Sequence, residues 1–434
     1  MTVPFASTPV VSHRRGFCPG LSRPLPSGDG LLVRIAPIGT IALDAFAALC
    51  AAARAHGNGI IEVTARGSIQ VRGLNTDSAP RFADAITARG IAAEDGVPIL
   101  CNPLAGLDPA EIFDSATLAA AVRSAVAQQA FAGRLDSKVS IVIDDGAPLN
   151  LARVAADIRL RAQLCDAAPV LRLAVGGDDA SAFDLGAIAM ADGAEAVSRL
   201  LLVLAERGAR AREIIASEGV GCFADALAFA LRSAAKRDTA RSAPRQCRDP
   251  IGLHALRDGC LAAGLGLAFG HAETTVLEQL LDAAAAAGAR GLRTAPNRSL
   301  LAIGLTSDSA ARFFAAAGQL GFVTRADDPR RHVIACAGAP LCASAHIAAR
   351  TMAPSLAAIA ASYLSDEMTI HVSGCAKGCA HPGAAPLTVV GAPDNCGLVA
   401  NGTAKDAPFA TVPLHELPTV IGAHLRKAHE GSHV

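Results

Sequence analysis

The sequence predicts an α+β protein: one internally duplicated repeat domain joined to two further α/β domains. Three observations carry this. A strand–helix–strand–strand pattern opens at Asp29 and returns at Asp258. Each copy is followed by a longer stretch of mixed strand and helix character. Between the halves lies "RSAAKRDTARSAPRQCRDP", residues 232–250, which is polar, basic and without apolar periodicity, and so reads as a linker. With 434 residues, 51% of them hydrophobic, the chain is long enough for two or three domains with sizeable cores.

In the first copy, "DGLLVRIAPIGTIALDAFAALCAAARAHGNGIIEVTARGSIQVRGL", residues 31–36 read as a strand. Residues 43–56 read as a helix that stops at Gly57-Asn58-Gly59. Residues 60–64 and 69–72 read as two strands. The second copy is "DGCLAAGLGLAFGHAETTVLEQLLDAAAAAGARGLRTAPNRSLLAIGL". Asp-Gly opens both copies, a helix follows in each, and both close on Gly-Leu. Thr64-Ala65-Arg66 is mirrored by Thr294-Ala295-Pro296-Asn297-Arg298. The period is too long for a solenoid, so two pseudo-equivalent halves are expected rather than a chance likeness of Ala-rich sequence. After the first copy come a strand-like segment at 139–143, the turn "DDGAPLN", and helical sequence at 200–207. The expected boundaries are 14–78 and 251–320 for the two repeat halves. The first α/β domain takes 79–231, the linker 232–250, and the second α/β domain 321–434.

Lys plus Arg equals Asp plus Glu, so no global charge favours nucleic acid or an anionic membrane. There is no Trp and one Tyr, which leaves few stacking platforms for single-stranded nucleic acid. Residues 1–12 lack a charged segment followed by an apolar one, and no apolar run reaches the length of a membrane span. A cytoplasmic protein is expected. Its twelve cysteines then sit in a reducing compartment, where metal or redox roles outweigh disulfides. Cys50, Cys165, Cys222 and Cys260 read as small buried hydrophobes. "AGLGLAF" and "VGGDD" contain no complete G-x-G-x-x-G, so no nicotinamide site is expected, and electrons are expected from a separate reductase or ferredoxin.

Four cysteines stand out. Cys336 and Cys342 form C-x5-C; after 32 residues, Cys375 and Cys379 form C-x3-C in "SGCAKGCAHP". Four thiolates suit an iron–sulfur cluster or a structural zinc. Zinc knuckles are usually tighter, and Gly in both turns lets backbone amides approach cluster sulfurs. The apolar neighbours Ile334, Ala335, Pro340, Leu341 and Val372 exclude water. Unrelated buried thiols are the bland alternative. Lys377 reads either as a turn lysine or as a partner for the cluster charge or a substrate carboxylate. His371 and His381 read as hydrogen-bonded structural residues or as iron ligands, and His346 falls on the expected helix after Cys342. No 2-His-1-carboxylate set is readable at local spacing. Taken alone, Arg34 and Arg66 read as solvated strand residues.

The cysteine pattern, the doubled repeat and "EVTARGSIQVRGL" together resemble the sulfite/nitrite reductase superfamily over residues 29–391. The resemblance implies a sulfite/nitrite reductase-like fold with a duplicated ferredoxin-like domain. It implies that Cys336, Cys342, Cys375 and Cys379 hold a [4Fe-4S] cluster, the last of them also bridging to sirohaem in the reductases. Arg66 matches a tetrapyrrole-carboxylate-binding arginine, and Arg34 and Lys138 match further basic positions. The chain also departs from the reductases. Ala36 stands where they carry a second arginine. Val97, in "AAEDGVPILCNP", stands at another arginine position, and Ser140 replaces the second lysine of a Lys-x-Lys pair. Reduction of a small anion needs positive charge and proton donors around it, and much of that set is missing.

"CNPLAGLDP", the "DDG" turn, "RTAPNRSLL" and "SGCAKGCAHP" resemble the precorrin-3B synthase branch instead. That resemblance implies an oxygen-dependent monooxygenase of aerobic cobalamin biosynthesis. It would hydroxylate precorrin-3A and close a lactone to give precorrin-3B, with the substrate in the place of sirohaem. It implies substrate carboxylates bound at Arg34, Arg66, Lys138 and Lys377, electrons from an external donor through the cluster, and a further mononuclear non-haem iron. A sirohaem-dependent sulfite or nitrite reductase and a non-catalytic iron–sulfur tetrapyrrole carrier are the alternatives.

Overall fold

The computed structural model describes residues 19–93, 96–128, 131, 133–230, 247–363 and 368–431. Residues 1–12 and most of the 232–250 linker lie outside these. The first repeat copy forms β1 (Leu25–Ser27), β2 (Gly30–Ile35), α1 (Leu43–His56), β3 (Ile60–Val63), β4 (Ile69–Leu74) and α2 (Ser78–Ala88). The first α/β region forms β5 (Ile99–Cys101), α3 (Ser115–Gln128), β6 (Ile141–Asp144), β7 (Ala156–Cys165), β8 (Ala168–Gly177), β9 (Phe183–Ala189), α4 (Gly193–Arg207), α5 (Ala211–Glu218) and α6 (Gly221–Ala226). The second copy forms β10 (Gly252–Ala255), β11 (Leu261–Gly266), β12 (His271–Glu273), α7 (Thr274–Ala286), β13 (Gly291–Ala295), β14 (Ser299–Leu305) and α8 (Ser307–Gln319). The second α/β region forms β15 (Val333–Ala335), α9 (Ala349–Ala360), β16 (Ile370–Ser373), β17 (Ala385–Gly391), β18 (Cys396–Gly402), β19 (Ala410–Val412) and α10 (Leu417–Gly431).

The two copies interlock. The first repeat sheet runs β1-β2-β4-β3-β12, so the second copy donates its edge strand; the second sheet runs β10-β11-β14-β13. Ile41 bridges to Leu292 between them. Strand alternation turns Val33, Ile35, Ile61, Ile69 and Val71 inward, and Ala263, Leu300 and Ala302 meet them across α1 and α7 in one core. Phe82 and Ile86 of α2 join this core, so the repeat's packing runs past residue 78. The outer faces of both sheets are left to contact the α/β regions.

The two α/β sheets share a topology. In β5-β6-β7-β8-β9 and in β15-β16-β17-β18-β19 the first three strands are parallel and the last two antiparallel. Brief differences from the sequence expectations have local causes. The helix at 200–207 is the end of the longer α4, whose start at Gly193 lacks a side-chain cap. Cys165 is exposed rather than buried, because the β7–β8 turn passes through Asp166 and Ala167, both at positive φ. His346 lies in the loop before α9, not on it, and its N–H donates to the Gly374 carbonyl at 2.8 Å.

The turn mirror also shifts by one residue. Val63 pairs with Ile69 and Thr294 with Leu300, each closing a five-residue turn. Arg66 therefore corresponds to Asn297, and Arg298 occupies the slot of Gly67. Both slots have a left-handed backbone, with φ of 82° at Gly67 and 62° at Arg298.

Candidate substrate and cluster site

Parallel strands end where loops can gather side chains. Cys336 directly follows β15, and Cys375 lies two residues beyond β16. The Gly374 N–H donates to Cys336 Sγ at 3.1 Å, and Lys377 Nζ ties the two cysteine loops together through Ser344 Oγ at 2.9 Å. The β1–β2 hairpin docks on the same loops. Ala343 N–H donates to the Gly28 carbonyl at 2.8 Å, and a side chain at Gly28 would overlap Cys342 Sγ. The thiols share one electrostatic environment. Burial pushes Cys336 up, opposed by the Gly374 and Gly338 amides and reinforced by Cys379 and Cys375. Burial also pushes Cys379 up; Arg72 and Lys377 oppose it, while Cys375 and Cys342 add to it. Among the described residues, no three His, Cys, Asp or Glu side chains converge on a single metal-ion position. The expected mononuclear iron therefore has no ligand set there. His371 and His381 instead pack edge to face with ring centroids 5.7 Å apart.

Opposite the cysteines stands the outer face of the first repeat sheet. Cross-strand pairing aligns Arg34, Gln70, Glu62 and His271 in one row over β2, β4, β3 and β12. Arg34 Nη2 donates to Gln70 Oε1 at 3.0 Å, and Gln70 Nε2 donates to Glu62. Arg72, two residues beyond Gln70, donates to Glu62 Oε2 at 3.2 Å and to Asp29 Oδ1 at 3.1 Å. Arg350, at the start of α9, reaches across from the cysteine-bearing region to Glu62. Burial pushes Glu62 up, but Arg72 and Arg350, with hydrogen bonds from Arg72 and Gln70, hold it below the ordinary carboxylate range. Several buried atoms here have no partner in the fold: Arg350 Nε and Nη1, His271 Nδ1, Asp29 Oδ2 and both ring nitrogens of His371. Buried polar groups are almost always hydrogen-bonded, so this concentration marks a wall built to meet a polar body.

The sequence-expected residues divide between two places. Arg34 and Lys377 line the cysteine side. Arg66 Nη2 instead donates to the Ala155 carbonyl at 2.8 Å, with Nη1 3.4 Å from Ser140 Oγ, so it reaches the first α/β region. There it lines a cavity of about 210 Å³ together with Arg153 and Arg248. That volume suits a carboxylate side chain and is too small for a macrocycle. Lys138 is exposed in the loop before β6. Val97 packs on the apolar core of the first α/β region, and the Ser140 hydroxyl is occupied by Arg66, so neither position supplies the charge found in the reductases. Sequence reasoning missed Glu62, Gln70, Arg72, His271 and Arg350. Their only signal was the polar phase of alternating strands.

Residues 23–89 match the nitrite/sulfite reductase ferredoxin-like half domain. A precorrin-3B synthase from Sinorhizobium sp is 40% identical over 92% of this chain and 86% of its own length. A ferredoxin sulfite reductase from Mycobacterium tuberculosis is 27% identical over 30% of this chain and 25% of its own length. The solved structure of the Mycobacterium tuberculosis NirA protein superposes with a TM-score of 0.70, covering 91% of this chain and 80% of that one at 19% identity. This shows that the fold is the nitrite/sulfite reductase fold.

Proposed function

The chain belongs to the precorrin-3B synthase family, and from that premise we propose an oxidoreductase of cobalamin biosynthesis. It acts as an oxygen-dependent monooxygenase converting precorrin-3A to precorrin-3B by ring hydroxylation with lactone formation. One oxygen atom enters the macrocycle, and the other leaves as water with two electrons and two protons from an external donor, a reductase or ferredoxin. The reaction belongs in the cytoplasm; no helix among the described residues is long and apolar enough to cross a membrane. The observation that carries the reading is the polar, incompletely satisfied face of the first repeat sheet set opposite four cysteines, without the charge that small-anion reduction needs.

Cys336, Cys342, Cys375 and Cys379 would hold a [4Fe-4S] cluster. Four thiols that share one space without closing on a point suit such a cluster better than a single zinc. When bound, the cluster supplies single-electron transfer. The Gly374 amide and Lys377 offset the negative charge of the thiolates. Arg34, Arg66 and Lys377 bind substrate carboxylates, with Lys138 at the outer edge; a guanidinium does this with two parallel hydrogen bonds. Glu62 holds Arg72 and Arg350 in place, so their remaining donors face the enclosure. The apolar strands behind the cysteines keep water out. No mononuclear iron enters this reading, because the described residues offer it no ligands.

The partial match to sulfite reductases favours a second reading, a sirohaem-dependent reductase. Optical spectra and metal analysis of anaerobically purified protein separate the two. A broad iron–sulfur shoulder with iron and sulfide, and no haem-like bands, is the expected result. Sirohaem bands together with sulfite or nitrite turnover would overturn the proposal.

A further inference from the structure

Arg298 is a long side chain in a slot where the first repeat copy uses glycine. A left-handed backbone is rare and unfavourable for a residue with a Cβ, and its persistence points to a use for the side chain. The Arg298 side chain runs across Gly270, where an added Cβ would overlap its Cδ and Nε. Gly270 directly precedes His271, the last member of the polar row, so Arg298 continues that row. Among the described residues no hydrogen bond or ion pair to its guanidinium is formed. Burial lowers its pKa, and no carboxylate opposes the shift. The residue still touches solvent, so the guanidinium sits in an enclosed wet space rather than in the apolar core.

The same space holds His371. Ile370 and Val372 enter the core of the second α/β region, so alternation turns His371 the other way, toward the repeat domain. It is fully buried, and neither ring nitrogen has a partner. Its ring lies under the Gly378 turn beside His381, and after His381 the charge it senses is Arg298. Around it Arg34, Arg72, Arg350 and Lys377 join Arg298, against the carboxylates Asp29 and Glu62. This is a surplus of cations that calls for an anionic occupant.

We infer that Arg298 and His371 together bind one carboxylate of the substrate, on the cysteine side of the enclosure, as a counterpart to Arg66 on the side of the first α/β region. The inference rests on the reading of the substrate as a polycarboxylated tetrapyrrole. A planar fork and an imidazole N–H, neither held by a protein acceptor, provide the donors for a carboxylate. Each of the paired turns of the repeat then contributes one arginine. Arg66 comes from the third position of its turn, and Arg298 from the next position of the other.

The test uses cluster-loaded, full-length protein under anaerobic conditions with precorrin-3A as the probe, comparing wild type with Arg298→Met and Arg298→Lys. Arg298→Met should raise the Kd about ten- to a hundred-fold, the scale of a lost charged hydrogen bond. Arg298→Lys should recover part of the affinity. The ligand-free melting temperature of Arg298→Met should be unchanged or higher, because a buried cation without a partner has been removed. The cluster reduction potential should stay the same. Wild-type affinity in Arg298→Met would overturn the inference. So would a lower ligand-free melting temperature with unchanged affinity, which is the mark of a structural arginine. A shifted cluster potential with unchanged affinity would overturn it too, by assigning the charge to the cluster. Failure of the wild-type protein itself to bind precorrin-3A would refute the functional reading and this inference with it.

Discussion

Equivalent strands build the outer faces of the two repeat sheets, yet the faces carry opposite chemistry. On the first sheet the row reads Arg34, Gln70, Glu62, with Arg72 beside it. On the second sheet the matching positions are Gly264, Leu301, Arg293 and Ile303. Leu301 and Ile303 pack with Leu104, Leu149, Leu256, Ala262 and Ala295 into a closed apolar cluster. Gly264 lets the chain at Pro250 come so near that a Cβ would strike its carbonyl. Arg293 is spent on the Pro103 and Ala105 carbonyls, at 3.1 and 2.8 Å. The α/β regions differ in the same way. The strand end that leads to Cys375 in one leads to Asp144 and Asp145 in the other. Duplication produced two potential enclosures. Apolar packing closed one and made it a joint, while the other kept its polar wall and cysteines for a ligand.

The largest effect should come from the cysteines. Replacing any one of Cys336, Cys342, Cys375 or Cys379 by Ser should abolish or convert the cluster and its visible absorbance, and turnover should vanish. Cys165→Ser and Cys222→Ser should change neither, and iron and sulfide analysis decides. On the closed face, Leu301→Ala should destabilise the protein by about 2–5 kcal/mol, as cavities in packed cores do, without altering the cluster spectrum. Denaturant unfolding measures it, and a change below the noise would mean that the joint is not closed.

On the open face the order of effects reverses. Arg66→Ala should weaken tetrapyrrole binding by about 1.5–3 kcal/mol, the scale of a charged hydrogen bond, with little change in stability. Unaltered affinity would make Arg66 a surface residue. The smallest effect is in pH dependence, where the two sides should differ in sign. Burial pushes Asp145 up to about 7, and Glu111 and Asp144 add to the rise against the Ala147 amide. Its folded form holds a proton that the unfolded chain releases near 3.8, so its contribution falls as pH rises from about 4 through 7. Glu62, held low by Arg72 and Arg350, contributes in the opposite direction: it stabilises above the ordinary carboxylate range and loses that contribution in acid. Melting temperature across pH should decline less steeply toward neutrality in Asp145→Asn than in wild type. An identical profile would reject the buried, protonated Asp145.

Much of this was legible in local sequence, and the reason is periodicity. The helix at 43–56 is observed as Leu43–His56, and the strands at 31–36, 60–64 and 69–72 appear as Gly30–Ile35, Ile60–Val63 and Ile69–Leu74. The family resemblance was legible from the cysteine spacing and the turn sequences. What covers a polar strand face was not legible. Arg34, Glu62, Gln70 and Arg72 alternate with apolar residues as they would on a sheet facing water, and only the fold sets Arg350 and the cysteines against them. The mismatch of Arg66 with Arg298 was hidden for a similar reason, because strand register, not residue identity, aligns the two turns.

Turnover of precorrin-3A under isotopically labelled oxygen tests the central claim most directly. With an external reductant supplied, mass analysis should find one labelled atom in the tetrapyrrole product and no product without oxygen. Product formed in the absence of oxygen, or reduction of sulfite or nitrite at an enzymatic rate, would contradict the account.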